Sequence, residues 1–167
     1  MRISDLCRVK ALSEIIHVNY PERLVIFAEK LRLFPEGCFV LTAADVVDGY
    51  CFSHPWTGGV PPKLDSLLYS LPKHPTTYFI HDIALIESRR RKGFAGMLLG
   101  QLDSVARELA FNLLTLVSVN GTESYWLSQG FQEWDVDGSH DYLEAEYGAG
   151  AVLMCRPVLS GPKIVIK

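Results

Sequence analysis

Two segments near the N-terminus carry apolar residues at three- and four-residue steps, a period that predicts amphipathic helices. Ser4 and Asp5 are placed to cap the first of these helices. Pro21 suits the first turn of the second, which is expected to run to about Phe34 and to stop at the proline and glycine of 35–37. The chain is therefore predicted to begin with two helices.

Strand-length runs of aromatic and β-branched residues follow the helices. The longest run, at 78–86, is separated from a second apolar run at 113–119 by a segment with helical periodicity between Ala95 and Leu109. Shorter strands are predicted at 38–43 and 48–52, joined by a turn at 44–47, and at 131–136 and 151–155, which are expected to pair across an acidic turn.

Residues 53–77 interrupt this regular order. The segment is rich in proline, contains the pair Gly58-Gly59, and includes a stretch at 64–71 that is expected to form a short helix. Loops of this length are often functional, although a decorative or oligomer-forming insertion, and hence a homodimer, stays open. At the other end, residues 161–167 are expected to form a tail or an additional edge strand.

Composition and charge narrow the class of protein. A chain of 167 residues, 49% hydrophobic and 21% charged, is expected to form one globular domain over 1–167. The net charge of −3 argues against a general nucleic-acid binder, and no apolar run approaches a membrane span. Without a secretory signal pattern, a cytoplasmic location is expected. No metal site is predicted, because the cysteines lack metal-ligand spacing and are expected to be reduced core thiols: Cys7, Cys38, Cys51 and Cys155.

The most informative motif is Arg90-Arg91-Lys92-Gly93-Phe94-Ala95-Gly96, which joins the strand at 78–86 to the following helix. Backbone N–H groups and the dipole at a helix N-terminus attract anions, so this junction is predicted to bind phosphate. The P-loop string is absent, and the glycines are wrongly spaced for a dinucleotide fingerprint. A solvated run of cations at 89–92 is the alternative.

The motif matches Arg/Gln-x-x-Gly-x-Gly/Ala, with Arg90, Gly93 and Ala95 at its defining positions. An apolar strand precedes it, and a second strand, Asn120, a short helical stretch and Gly130-Phe131 follow in order. In this arrangement the chain resembles the GNAT superfamily of N-acyltransferases, over roughly 78–157 in detail and over its first half in outline. The family's usual first strand would have to fit within 1–3, so a vestigial or missing first strand is expected.

The resemblance implies a mixed α/β fold. Its features are a twisted, mostly antiparallel sheet, about four flanking helices, and one splayed parallel pair of strands at 78–86 and 113–119. It also implies that acetyl-CoA, or another short acyl-CoA, binds between those strands as co-substrate. For Asn120, a structural role in a turn is the alternative to cofactor binding, because Asn-Gly is a good turn dipeptide. The implied cofactor-binding residues are Leu85 and Ile86 for the pantetheine arm, Arg90, Arg91, Lys92, Gly93, Phe94, Ala95 and Gly96 for the pyrophosphate, and Asn120.

Transfer of an acyl group from a thioester to an amine requires a base for the amine proton and benefits from an acid for the departing thiolate. Members of the family often place a Tyr four residues before the Gly of Gly-Phe, where this chain has Trp126, with Tyr125 one residue earlier. One helical residue is a rotation of about 100°. Since Trp is not an acid, Tyr125 is the candidate acid. Nothing near Cys38 or Cys51 lowers a thiol pKa, so direct transfer is expected.

His81 is the candidate base, and a satisfied packing histidine is the alternative. Strand alternation predicts that His81 shares a face with Phe79 and Ile83 and that Asp82 lies on the opposite face. It resembles the second histidine of the pair that serotonin N-acetyltransferases carry on this strand. The remaining histidines have no neighbours in sequence that select them: His17, His54, His74 and His140.

The expected acceptor is a primary amine on a small, cationic molecule or on a lysine-bearing peptide, because acidic residues cluster at 133–146. A solvated loop would explain the same cluster. Two other classes of function stay open. One is a GNAT-fold module that binds acyl-CoA without turnover, and the other is a small protein whose basic turn contacts RNA or an acidic protein.

Overall fold

The computed structural model describes residues 1–136 and 138–160. Helices and strands follow the order predicted from the periodicity of the sequence. The helices are α1 (Leu6–Ile16), α2 (Leu24–Leu33), α3 (Phe94–Glu108), α4 (Glu123–Ser128) and α5 (Ser139–Tyr147). The strands are β1 (Cys38–Ala43), β2 (Val46–Trp56), β3 (Thr77–Leu85), β4 (Leu113–Ser118), β5 (Gln132–Glu133) and β6 (Val152–Pro157).

The six strands form one sheet in the order β1-β2-β3-β4-β6-β5, antiparallel except for the pair β3–β4. That parallel pair has only three positions in register, the last being Ile80 opposite Leu116. Beyond Ile80 the two strands have no further paired positions, so the sheet opens toward their C-terminal ends. The predicted mixed fold with a splayed parallel pair is confirmed.

A β-bulge on β3 determines which side chains face this opening. Phe52 of β2 pairs with Asp82, but the next residue, Ser53, pairs with Ile80, which leaves His81 as an extra residue. A bulge of this kind places two consecutive side chains on one face. His81 and Asp82 therefore lie on the same face, and the sequence-based expectation that Asp82 points away from His81 is wrong.

Helices cover both faces of the sheet. On one face, α1 and α2 pack through Leu12 and Phe27 onto Phe52. On the other, α3 packs through Leu102 onto Leu116. All five side chains are almost completely buried. This layering places His81 and Asp82 on the α1–α2 side and the start of α3 on the other side.

Three local expectations are wrong. The Asp5 carboxylate accepts a hydrogen bond from the N–H of Arg2 at 2.6 Å instead of capping α1, and Ile3–Asp5 is a 3₁₀ turn, so the family's usual first strand is missing at 1–3. The stretch 64–71 is not helical, and the N–H groups of Leu68 and Tyr69 donate to the Glu29 carboxylate on α2 instead of to a preceding turn. The acidic region before β6 contains α5, which raises the helix count in the described part to five.

The predicted pairing with the last strand is confirmed in part. The segment predicted at 131–136 does pair with the last strand, over the shorter span Gln132–Glu133. Residues 161–167 lie outside the described residues, so the predicted tail or edge strand stays a prediction.

The four cysteines are free thiols; Cys38 and Cys51 are buried, whereas Cys7 is exposed and is not a core thiol. Within the described ranges, every helix is too short or too polar to cross a membrane.

A buried ion pair fixes α3 to the last strand. The Arg156 guanidinium donates two hydrogen bonds to the Asp103 carboxylate, at 3.0 and 2.9 Å, and Asp103 also accepts from the N–H of Leu159. Both side chains are less than 7% exposed, and Arg156 stacks over the Phe131 ring. Because both charges are removed from water, each depends on the other.

We expect Asp103→Asn to lower the free energy of unfolding by about 3–5 kcal/mol, because it leaves the Arg156 charge buried without its carboxylate. Chemical denaturation measures this change. Glu108→Gln, an exposed carboxylate on the same helix, is the control and should change stability by less than about 1 kcal/mol. Equal stability of the two variants would contradict the structural role given to the pair.

Candidate active site

The junction between β3 and α3 forms an open loop at a helix N-terminus. A 3₁₀ turn at Glu87–Arg89 leads into Arg91, which has a φ of +57°, and Gly93, which has a φ of +83° and immediately precedes the helix. The left-handed conformation at Gly93 favours glycine. A Cβ atom added to Gly93 or to Gly96 would meet no other atom within 4 Å. The backbone is therefore open to an approaching ligand at both positions.

Charge at this loop favours an anion. The first N–H groups of α3 have no partner within the helix, and the helix dipole adds partial positive charge there. Arg91 and Lys92 are exposed, and neither forms an ion pair with a residue in the described ranges. An open backbone cradle with two free cations fits a diphosphate, as the predicted acyl-CoA site requires. Phe94 and Ala95 are the first two residues of α3, and their side chains are half-buried.

The other two cations of the run hold the loop in place. Arg89 Nε donates to Asp48 Oδ2 at 2.8 Å, and Arg90 Nε donates to the carbonyl of Leu85 at 3.0 Å. Ile86 uses both backbone groups within the fold, donating to the carbonyl of Asp48 and accepting from the N–H of Arg89, each at 2.9 Å. A pantetheine contact at Ile86 would require this turn to rearrange, whereas the Leu85 carbonyl can accept a second bond.

A small cavity lies on the opposite face, at the opening between β3 and β4. Its volume is about 50 Å³. His81 and Asp82 line it from β3, Val117 lines it from β4, and Val119 lines it from just beyond the end of β4. Its other lining residues come from the α1–α2 connection, the 53–77 segment and α5: His17, Tyr20, Glu22, Leu64 and Tyr147.

His81 is paired with a carboxylate that the sequence analysis did not identify. Its Nε2 lies 2.9 Å from Glu22 Oε2, and the two side chains are 1% and 6% exposed. Its Nδ1 is buried and has no hydrogen-bond partner among residues 1–136 and 138–160. Burial alone would raise the pKa of Glu22, but attraction to His81 and Lys30 lowers it to about 2. Glu22 is therefore an anion that can hold the Nε2–H tautomer of His81 and leave Nδ1 as a proton acceptor.

A second histidine and carboxylate share the cavity. Asp82 Oδ2 accepts a hydrogen bond from the Tyr50 hydroxyl at 2.6 Å, and Asp82 Oδ1 lies 3.0 Å from His17 Nε2. Burial lowers the pKa of His17, but the nearby Asp82 carboxylate outweighs that effect and raises it overall. His17 was not distinguished in the sequence because only folding brings the end of α1 beside the bulge on β3.

The remaining histidines lie elsewhere. His54 is buried against Phe79 and Trp56, and burial lowers its pKa to about 3, so it remains neutral and is a poor base at neutral pH. His74 and His140 are exposed.

Tyr125 does not line the cavity beside His81. It is 38% exposed on α4, where its ring packs edge-on against Trp126, and partial burial raises its pKa. Trp126 turns inward and contacts Phe131 at 5.5 Å between ring centroids. The role of Tyr125 as acid stays a prediction. Asn120 has a φ of +55° and is followed by Gly121 at +69°, as a turn residue requires, while its contact with acyl-CoA is likewise untested.

Residues 1–136 and 138–160 contain no group of three or more His, Cys, Asp or Glu side chains placed to hold a metal ion.

Comparison with known proteins identifies the family. The sequence profile of the Acetyltransferase (GNAT) family matches residues 9–131, which is most of the chain. The chain therefore belongs to the GNAT acetyltransferase family. No curated protein sequence matches it.

Solved structures with the same fold are similar over nearly the whole chain. Ard1 from Thermoplasma volcanium has a TM-score of 0.72 and 18% identity, covering 96% of this chain and 95% of its own. The GphF GNAT-like decarboxylase in complex with isobutyryl-CoA has a TM-score of 0.75 and 13% identity, covering 95% and 97%. The ribosomal-protein-S18-alanine N-acetyltransferase from Escherichia coli has a TM-score of 0.64 and 15% identity, covering 100% and 96%.

We expect Gly93→Asp to remove acetyl-CoA binding, because it places a negative side chain where the diphosphate would approach the backbone. Gly93→Asn is the matched control, since it has the same shape and the same left-handed backbone strain without the charge. Calorimetric titration with acetyl-CoA should show a much larger loss for Asp than for Asn. Unchanged affinity in Gly93→Asp would exclude this loop as the diphosphate site.

Proposed function

We propose that this protein transfers an acetyl or other short acyl group from acyl-CoA to the nitrogen of a primary amine. The observation that carries the proposal is the opening between β3 and β4, with an anion cradle at Gly93 and Gly96 on one face of the sheet and the His81–Glu22 pair on the other. A gap in a sheet is where reactants from its two faces can meet. The coenzyme would enter from the α3 side and the amine from the α1–α2 side.

The β3 edge at this gap supplies further groups for catalysis. After Ile80 the edge that faces β4 has no paired positions in the described ladder. Backbone N–H groups on such an edge need a partner and can donate to the pantetheine arm or to the developing oxyanion.

In the transfer, the amine nitrogen forms a bond to the thioester carbonyl carbon, and the carbon–sulfur bond then breaks. We assign the removal of the amine proton to His81 Nδ1, while Glu22 holds the opposite ring nitrogen. The thiolate that leaves gains a proton, for which Tyr125 is the candidate donor. A base positioned in this way typically contributes about 10²–10⁴-fold in rate.

Direct transfer is favoured over a covalent acyl-enzyme. Burial raises the pKa of the Cys38 thiol to about 12 and that of Cys51 well above its usual value. A cysteine nucleophile acts as the thiolate, so neither thiol is activated near neutral pH.

Two other functions would be distinguished from amine acylation by different experimental results. A GNAT-fold module that binds acyl-CoA without turnover would bind acetyl-CoA and release no thiol with any amine. Decarboxylation, the reaction in the printed name of GphF, belongs to a protein that shares only the fold with this chain. His81 Nδ1, which has no partner among the described residues, favours transfer to an amine, because that reaction requires removal of a proton.

We expect His81→Ala to lower kcat by about 10²–10⁴-fold and to leave acetyl-CoA affinity nearly unchanged. Thiol release and calorimetry measure the two quantities. His140→Ala, an exposed histidine on α5, is the control and should retain wild-type turnover. Wild-type turnover in His81→Ala would show that His81 is a packing residue.

Glu22→Gln should reduce kcat by about 10²-fold, because an amide no longer fixes the tautomer of His81. Glu22 also faces buried Lys30, whose Nζ lies 3.6 Å from Oε1. Lys30→Met, which alters this pair without touching the histidine, is the matched control and should preserve far more of the turnover. If both variants lose activity equally, the loss comes from the disturbed core.

A further inference from the structure

The segment at 57–76, which we call the cap, connects β2 to β3 and lies over the cavity beside His81. It is joined to α5 through three contacts. The Tyr142 hydroxyl donates to the carbonyl of Pro61 at 2.7 Å, and the Tyr147 hydroxyl donates to that of Pro62. The ammonium group of Lys63 pairs with Glu146 at 2.8 Å. Glu146 belongs to the acidic cluster, so part of that cluster fastens the cap.

The cap is also joined to the α1–α2 side. Arg23 Nε donates to Asp65 Oδ2 at 2.8 Å, and the Arg23 N–H donates to Asp65 Oδ1 at 2.7 Å. Glu29, itself only 9% exposed, accepts from the N–H groups of Leu68 and Tyr69 at 2.6 and 2.9 Å. Charge-assisted bonds of this kind to a buried carboxylate are strong. The cap is therefore anchored on both sides of the opening in the sheet.

Between these anchors the Leu64 side chain enters the cavity that contains His81. Tyr147, held by its hydroxyl to the cap, forms another wall. These walls leave a small, partly open space beside His81. The contacts to α5 and to Glu29 hold the cap across this space, whereas an extended peptide needs an open groove.

We propose that the cap makes the protein selective for small free amines and excludes peptides and proteins as acceptors. This inference rests on the proposed function and narrows its acceptor class. Leu64 sets the width of the space beside His81, and the contacts to α5 and to Glu29 keep the cap across it.

A panel of acceptors tests the inference with the full chain and acetyl-CoA, with thiol release as the readout. Ethanolamine, putrescine and histamine represent small amines, and hexapeptides with a free N-terminus or an internal lysine represent peptides. We expect kcat/KM to be at least about tenfold higher for the best small amine than for either peptide. Equal or better use of a peptide would overturn the inference and leave the proposed function intact. If none of these acceptors causes thiol release, the proposed function is overturned, and the inference with it.

Variants of Leu64 test the same claim from the side of the protein. Leu64→Ala should raise kcat/KM for bulky amines about tenfold relative to ethanolamine, whereas Leu64→Trp should abolish amine turnover. Acetyl-CoA affinity should be unchanged in both, which also verifies that they fold. Val60→Ala, at a position on the cap that is 59% exposed, is the matched control and should leave the preference unchanged. An unaltered acceptor preference in both Leu64 variants would contradict the proposal.

Discussion

The short register between β3 and β4 is the constraint on which the site depends. Three paired positions hold the strands together, and the sheet opens after Ile80. The bulge at His81 coincides with this opening and turns two adjacent side chains toward the α1–α2 face. The same strand then leads into the turn that places Gly93 at the start of α3 on the other side. One strand thus carries both halves of the candidate site.

Buried charged side chains are concentrated on the α1–α2 side of that strand, where the amine is proposed to bind. Glu22 pairs with His81 and faces Lys30, while Asp82 accepts from Tyr50 and lies beside His17. Buried carboxylates are costly unless they are paired, so their placement constrains the surrounding elements. Here the pairs join the bulge to the α1–α2 connection. The arrangement leaves the second nitrogen of His81 without a partner in the described residues, which is the property that a base requires.

Much of the fold could be predicted from the sequence, because helical and strand periodicities are local properties. The glycine-containing loop before α3 could also be found, since its spacing is read directly along the chain. The partners of His81 could not. Glu22 lies 59 positions away and meets His81 only through folding, and the bulge that redirects Asp82 breaks the alternation on which the prediction relied. The role of the 53–77 segment likewise depends on contacts with α5 that the sequence pattern does not specify.

A crystal structure of the protein with coenzyme A and a small amine would test most directly the claim that the two faces meet at the opening. We expect the diphosphate against the N–H groups at Gly93 to Gly96, the sulfur between β3 and β4, and the amine nitrogen within hydrogen-bonding distance of His81 Nδ1. Coenzyme bound outside the opening, or an amine bound on the same face as the diphosphate, would contradict it.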